Sequence, residues 1–179
     1  MPPAELPDVD PADGTGLPAS SFTISLINQT DVAVDEARLE AAIRRVIVDT
    51  DYDEVVVSVA IVDDETIHEL NRQFLEHDYP TDVLSFVLED EPPRLEGEIV
   101  VSVDTARQNA AEAGWSADAE LLLYVVHGAL HLAGYRDKTP EDAAEMRSAE
   151  AAVLDQLGAA RSTSDPRWQP DGDEEEPPL

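Results

Sequence analysis

Two of the chain's four histidines, His127 and His131, lie four residues apart in one of its most apolar segments. Residues i and i+4 of a helix share one face, so the two imidazoles can point at the same location. Burying an imidazole without a partner costs a few kcal/mol, so these rings must be either hydrogen-bonded or bound to a ligand. A shared metal ion is one chemistry that this spacing allows.

The residues that follow favour the metal over ordinary hydrogen bonds. Gly134 ends the predicted helix and lets the chain turn back, which brings Asp137 within reach as a third ligand. A histidine pair alone is common on helices and is more often simply hydrogen-bonded. The full pattern H-G-x-x-H-x-x-G-x-x-D instead predicts a site with three protein ligands, His127, His131 and Asp137, and an open position for water.

Metalloproteases share this spacing but carry glutamate directly after the first histidine. That glutamate is the general base for peptide hydrolysis, and here Gly128 occupies its position. Because glycine cannot transfer a proton, the pattern disfavours a peptidase.

The composition of the 179 residues predicts one domain with tails. The absence of cysteine excludes disulfides, thiolate metal sites and cysteine nucleophiles. Residues 1–20 lack the basic and apolar regions of a signal peptide, and no run approaches the roughly 20 apolar residues of a membrane span, so we expect a cytoplasmic protein. Acidic, proline-rich residues 1–20 and 161–179 are expected to be disordered tails around a domain at 21–160.

The charge is strongly negative, with 11 basic and 40 acidic side chains and a formal net charge of −29. Such a surface normally argues against nucleic acid, because phosphates are bound by lysine and arginine. A strongly acidic surface also suits a cytoplasm of high salt concentration, where dissolved ions screen the repulsion between the acidic side chains. Any function on RNA must be reconciled with this charge.

The hydrophobic pattern predicts an α+β (α/β-type) domain with a four-stranded mixed sheet, about five helices, and the metal-bearing helix at its C-terminal side. The strand at 54–62 is nearly all β-branched, which predicts burial on both faces. The last two strands are expected to form a hairpin across an acidic, proline-containing loop. The predicted strands are 22–28, 54–62, 81–89 and 96–103, and the predicted helices are 35–50, 65–75, 104–113, 116–133 and 140–157.

Three segments together resemble the YbeY family of metal-dependent endoribonucleases. HGALHLAGYRD (127–137) is similar to the family's HGxLHLxGYDH, LNRQFLEHDYPTDVLSFVL (70–88) to its PTDVLSF segment, and GEIVVS (97–102) to its G[DE]I.IS segment. The resemblance implies a zincin-like fold, one bound zinc, and cleavage of single-stranded RNA in 16S rRNA 3′-end maturation and late-stage ribosome quality control. It implies ribosomal RNA and the small ribosomal subunit or assembly proteins as partners.

Two positions depart from the family pattern. Asp137 replaces its third histidine; a carboxylate can still bind zinc, but it weakens the Lewis acid and admits Mn²⁺ or Fe²⁺. Leu75 replaces the arginine that the resemblance implies contacts phosphate during catalysis. Arg72, one helical turn earlier, and Arg136, beside the metal ligand, are the candidate catalytic replacements, although each can also be an ordinary surface arginine.

Thr81, Asp82 and Ser85 match the strand that lines the family's cleft, which implies substrate binding. They can equally form a turn and a strand start, with Asp82 as a cap. Three functions stay open: a metallo-endoribonuclease using a metal-activated water, a metal-bearing ribosome-assembly factor with little or no nuclease activity, and a metallohydrolase of another substrate.

Overall fold

The computed structural model describes residues 20–159 together with residues 165 and 167. Within these residues the chain forms four strands and five helices, which confirms the predicted α+β class. In chain order the elements are β1 (Ser21–Asn28), α1 (Glu36–Ile47), β2 (Glu54–Val62), α2 (Asp64–Leu75), β3 (Val83–Glu91), β4 (Arg94–Ser102), α3 (Val103–Ala113), α4 (Ala117–Leu132) and α5 (Pro140–Gln156).

The two predicted tails fall almost entirely outside the described residues. Of 1–20, only Ser20 is described, and of 161–179, only Asp165 and Arg167 are described. Asp165 is buried and Arg167 is partly buried, so these two residues pack against the domain. Among the described helices, none is long and apolar enough to cross a membrane.

The sheet is mixed, with strand order β1-β2-β4-β3. β1, β2 and β4 are parallel, and β3 is the antiparallel edge strand beside β4. The predicted hairpin between the last two strands is therefore present. Its connection is shorter than expected, because Glu91 already pairs with Arg94 and only Pro92 and Pro93, joined by a cis peptide, form the turn.

The main core lies between one face of the sheet and the helices α1 and α4. β2 contributes alternate side chains to it, from Val55 to Ile61. The opposite face carries a smaller cluster with α2, which includes Val62 and Ile67. The prediction that β2 is buried on both faces is wrong for its first half: Val56 is 42% exposed, because the cluster with α2 covers only the end of the strand.

α4 is the helix that carries both histidines, and nearly all of it is buried, as its apolar sequence predicts. It begins after Ser116, whose side chain accepts a hydrogen bond from the Ala119 amide. Its end is fixed by Gly134, whose φ of 99° allows hydrogen bonds from Gly134 to the His131 carbonyl and from Tyr135 to the Leu130 carbonyl. This is the pairing of a Schellman motif, and it turns the chain back toward the histidines.

Gly128 lets α4 approach the sheet closely. A Cβ at this position would lie 2.8 Å from Cγ2 of Ile99 and 3.3 Å from Cγ2 of Val83. A side chain here would therefore point into the sheet. The structure gives a second reason against peptidase chemistry, since a glutamate at residue 128 would enter the packed interface of α4 with β3 and β4.

Candidate metal centre

The three predicted metal ligands meet at one point. Nε2 of His127 lies 3.0 Å from Nε2 of His131, and Oδ2 of Asp137 lies 3.2 Å from the His131 nitrogen and 3.5 Å from the His127 nitrogen. Ligands at zinc bond lengths of about 2.0–2.1 Å in a tetrahedron are separated by about 3.3–3.4 Å. The three donor atoms thus have a spacing that can accommodate one small divalent ion.

The outer nitrogens of both histidines have acceptors of their own. Nδ1 of His127 lies 2.5 Å from Oε1 of Glu150, and Nδ1 of His131 lies 3.1 Å from the Tyr135 carbonyl oxygen. Each Nδ1–H can donate to its acceptor, which assigns the proton to Nδ1 and leaves a lone pair on each Nε2. Two such lone pairs 3.0 Å apart repel unless a proton or a metal ion lies between them. The donor set therefore fits a metal ion.

The local charges set the competition between metal and proton at His127. Burial alone would lower the pKa of His127, but the hydrogen bond and negative charge of Glu150, with the charges of Asp82 and Asp137, raise it above its ordinary value. Because Glu150 is only 7% exposed, its charge is poorly screened. Metal binding must displace any proton from His127, so metal affinity should fall as the pH decreases.

A pocket of about 280 Å³ opens beside His127 and Asp137. Asp137 is 40% exposed, so an ion at this site remains accessible to water and substrate. The pocket combines carboxylates, arginines and a few apolar groups. Its lining residues are Asp82, Leu123, Tyr124, His127, Asp137, Ala143, Met146, Arg147, Glu150 and Arg167.

Of the predicted substrate-binding residues, the structure places Asp82 in this pocket. Asp82 also accepts hydrogen bonds from the Val83 amide at 2.8 Å and the Thr81 hydroxyl at 3.2 Å, so it orders the start of β3 as well. Ser85 lies on the same strand face as Val83, which packs near Gly128. Neither Thr81 nor Ser85 lines the pocket.

The structure does not bring the two predicted arginines into the metal pocket. Arg72 is exposed on α2, in a separate depression that it shares with acidic residues of the same helix, and Arg136 is exposed beside Asp137. Leu75 is also exposed, at 46%. The arginines that line the metal pocket are Arg147 and Arg167.

Two buried carboxylates near the site were not anticipated from the sequence. Glu150 lies in the buried stripe of α5 with Met146 and Val153, where an acid among apolar positions is a detectable signal. Glu120 is fully buried on α4, seven residues before His127, and binds Arg167. An acid inside an otherwise apolar helix was visible in the sequence, but its partner 47 residues away was not.

Comparison with known proteins finds relatives that share one family name. A family model described as Endoribonuclease YbeY matches residues 25–158. A Rhodopirellula baltica protein named Endoribonuclease YbeY is 56% identical over 104 residues, which span 57% of this chain and 54% of that protein. A protein of the same name from Roseiflexus castenholzii is 38% identical over 148 residues, 77% of this chain and 93% of that protein.

Among solved structures, the solution structure of a Thermotoga maritima protein is 30% identical, with a TM-score of 0.49, and the match covers 86% of this chain and 99% of that one. The family model covers most of the chain, including the whole sheet except the start of β1, all five helices and the three candidate metal ligands. The chain therefore belongs to the Endoribonuclease YbeY family.

Proposed function

We propose that this protein is a metal-dependent endoribonuclease that cleaves single-stranded RNA. We further propose that it acts in the cytoplasm, in 16S rRNA 3′-end maturation and late-stage ribosome quality control, on ribosomal RNA together with the small ribosomal subunit or assembly proteins. The observation that carries the proposal is the geometry of His127, His131 and Asp137 in a chain of this family. The name shared by the relatives supports the RNA substrate.

The side chains of the centre have distinct tasks. His127, His131 and Asp137 would hold the ion, while Glu150 and the Tyr135 carbonyl fix the orientation of the two rings. When bound, a divalent ion supplies Lewis acidity and an activated water for attack on phosphorus. Zn²⁺ suits the two imidazoles, and the carboxylate of Asp137 makes Mn²⁺ or Fe²⁺ workable alternatives.

The pocket shape supports a single-stranded substrate. His127 and Asp137 line a concavity of about 280 Å³, whose wall includes residues of α4 and α5. A flexible strand can bend a phosphodiester into such a recess, whereas the backbone of a duplex is held in a regular helix. Arg147 and Arg167 lie on the pocket wall together with the carboxylates of Asp82, Asp137 and Glu150.

A second candidate is a metal-bearing ribosome-assembly factor with little or no nuclease activity. It is favoured by Leu75, which replaces the family's arginine and is 46% exposed on α2, and by the strongly acidic composition. Under this alternative the site would bind metal and the protein would bind RNA or the ribosomal subunit without cutting.

The two candidates are separated by incubating a labelled single-stranded RNA, and the matching duplex, with protein stripped of metal and reloaded with Zn²⁺ or Mn²⁺. The endoribonuclease proposal predicts metal-dependent internal cuts in the single strand, and their loss in the His131→Ala protein. An Arg107→Gln protein, altered at an exposed position on α3, serves as the matched control and should cut normally. Binding without any metal-dependent cutting would favour the assembly factor.

A further inference from the structure

Arg167 connects the C-terminal part of the chain to the helix that carries the metal ligands. Its Nη1 donates to Oε1 of Glu120 at 2.6 Å, and its Nη2 donates to Oε2 of the same carboxylate at 3.0 Å. This two-point pairing is the strongest common arrangement of guanidinium and carboxylate. Because Glu120 is completely buried, the carboxylate end of this pair lies inside the domain.

Two further groups fix the guanidinium in place. Asp165, which is 4% exposed, accepts from Nε at 3.1 Å and from Nη2 at 2.7 Å. The guanidinium carbon lies 5.5 Å from the centre of the Trp115 ring, and the indole N–H of Trp115 donates to Glu120 at 2.5 Å. The pKa of Arg167 is raised: burial opposes the charge, but the bonds to Glu120 and Asp165 outweigh it.

The same arginine lines the metal pocket, together with His127 and Asp137. Its side chain keeps 35% of its exposure. Nη1 carries two hydrogens and donates one to Glu120; among the described residues its second hydrogen has no acceptor. Arg167 thus combines a rigid attachment to α4 with an N–H that remains available at the pocket wall.

We propose that Arg167 is a substrate-positioning residue that contacts an RNA phosphate beside the metal centre, with Glu120, Asp165 and Trp115 holding it in place. The inference rests on the endoribonuclease function proposed above. It assigns the anion contact to the C-terminal segment, in a chain that has Leu75 where the family has arginine. A preorganised guanidinium loses little entropy on binding phosphate, which suits this task.

The test must separate contact with RNA from support of the fold, because Arg167→Met leaves the buried carboxylate of Glu120 without the cation that balances its charge. The double variant Glu120→Gln with Arg167→Met removes that carboxylate charge while the arginine stays absent. Glu120→Gln alone keeps Arg167 and an acceptor for it. Arg107→Gln removes one exposed positive charge elsewhere and is the matched control.

For each protein we would measure three quantities: the melting temperature, the affinity for a short single-stranded RNA at times too short for detectable cutting, and kcat and KM on the same strand. Loss of one charge-assisted hydrogen bond should weaken RNA binding and raise KM by roughly 10- to 100-fold, with a smaller change in kcat. We expect this in both proteins that lack Arg167, while the double variant recovers the part of the melting temperature that the unbalanced Glu120 charge removes; Asp165 keeps its charge in both. Glu120→Gln, which keeps Arg167 and an acceptor for it, should bind RNA more tightly than either protein that lacks Arg167.

Recovery of RNA affinity in the double variant would overturn the proposal, since Arg167 would then serve only to neutralise Glu120. The positioning role would also be overturned if Arg167→Met binds RNA as tightly as the starting protein. That result would leave the endoribonuclease proposal intact if the starting protein cuts RNA normally. If the protein binds the strand through Arg167 but never cuts, the positioning role stands and the endoribonuclease function fails. The two proposals can therefore fail separately.

Discussion

Replacing Glu150 by glutamine tests how much a carboxylate that contacts the ligand His127, but not the metal, contributes to metal affinity. Glu150 lies 2.5 Å from Nδ1 of His127 and is 7% exposed, so its negative charge acts on the imidazole almost without screening. Outer partners of this kind are worth about 10–100-fold in metal affinity. Glutamine keeps an acceptor but removes the charge, so we expect a loss of about 10-fold, or about 1.4 kcal/mol. Alanine removes both and should reach the upper end of the range.

The effect of Glu150→Gln on metal affinity should depend on pH. Glu150 raises the pKa of His127, so the unchanged protein must release a proton to bind metal at pH values where the variant is already deprotonated. The ratio of metal affinities between the unchanged protein and Glu150→Gln should therefore be largest at about pH 8. It should be smaller at about pH 6, below the ordinary histidine pKa of about 6.5. Competition with a chromophoric zinc chelator at both pH values measures it.

Glu145→Gln is the matched control, because it removes the same charge from an exposed position of α5. Its zinc affinity should stay close to that of the unchanged protein. The reasoning is refuted if Glu150→Gln binds zinc as tightly as the unchanged protein at both pH values, or if the ratio of their affinities increases on acidification.

Three other perturbations have defined outcomes. Gly128→Glu restores the metalloprotease spacing but forces a carboxylate against Ile99 and Val83, so denaturant unfolding should show a loss of roughly 3 kcal/mol or more and casein should remain uncut. Leu75→Arg should speed cleavage of single-stranded RNA by about two to three orders of magnitude if an arginine on this turn of α2 reaches the substrate, and equal rates would show that it does not. Removing the metal with a chelator should lower the melting temperature by about 5–10 °C, because free ion at about 100 times its Kd stabilises the fold by about 2.7 kcal/mol; an unchanged melting curve would contradict binding at the folded site.

Local sequence signals predicted the parts of the fold that local chemistry determines. Gly134 ends α4 in the left-handed conformation expected of a terminal glycine, and the spacing of His127 and His131 was enough to place their side chains together. β2 was predicted at its observed bounds, Glu54–Val62, because its β-branched run has few other stable conformations.

The remaining features depend on contacts that are distant in the sequence. Val56 is exposed because the cluster with α2 does not extend over the first half of β2, and the composition of β2 cannot reveal how far that cluster extends. The partner of Glu120 lies in a segment whose acidic, proline-rich composition predicted disorder. Glu150 reaches His127 only because α5 packs against α4, so its role emerges from tertiary structure.

The central claim is that His127, His131 and Asp137 bind one catalytic metal ion. The most direct test is a crystal structure of the metal-reconstituted protein, with anomalous diffraction measured on both sides of the zinc absorption edge. We expect one peak per chain, about 2.0–2.2 Å from Nε2 of both histidines and from a carboxylate oxygen of Asp137, with water or substrate completing the coordination. Anomalous density elsewhere, or reconstituted protein in which the two Nε2 atoms have no ion between them, would contradict it.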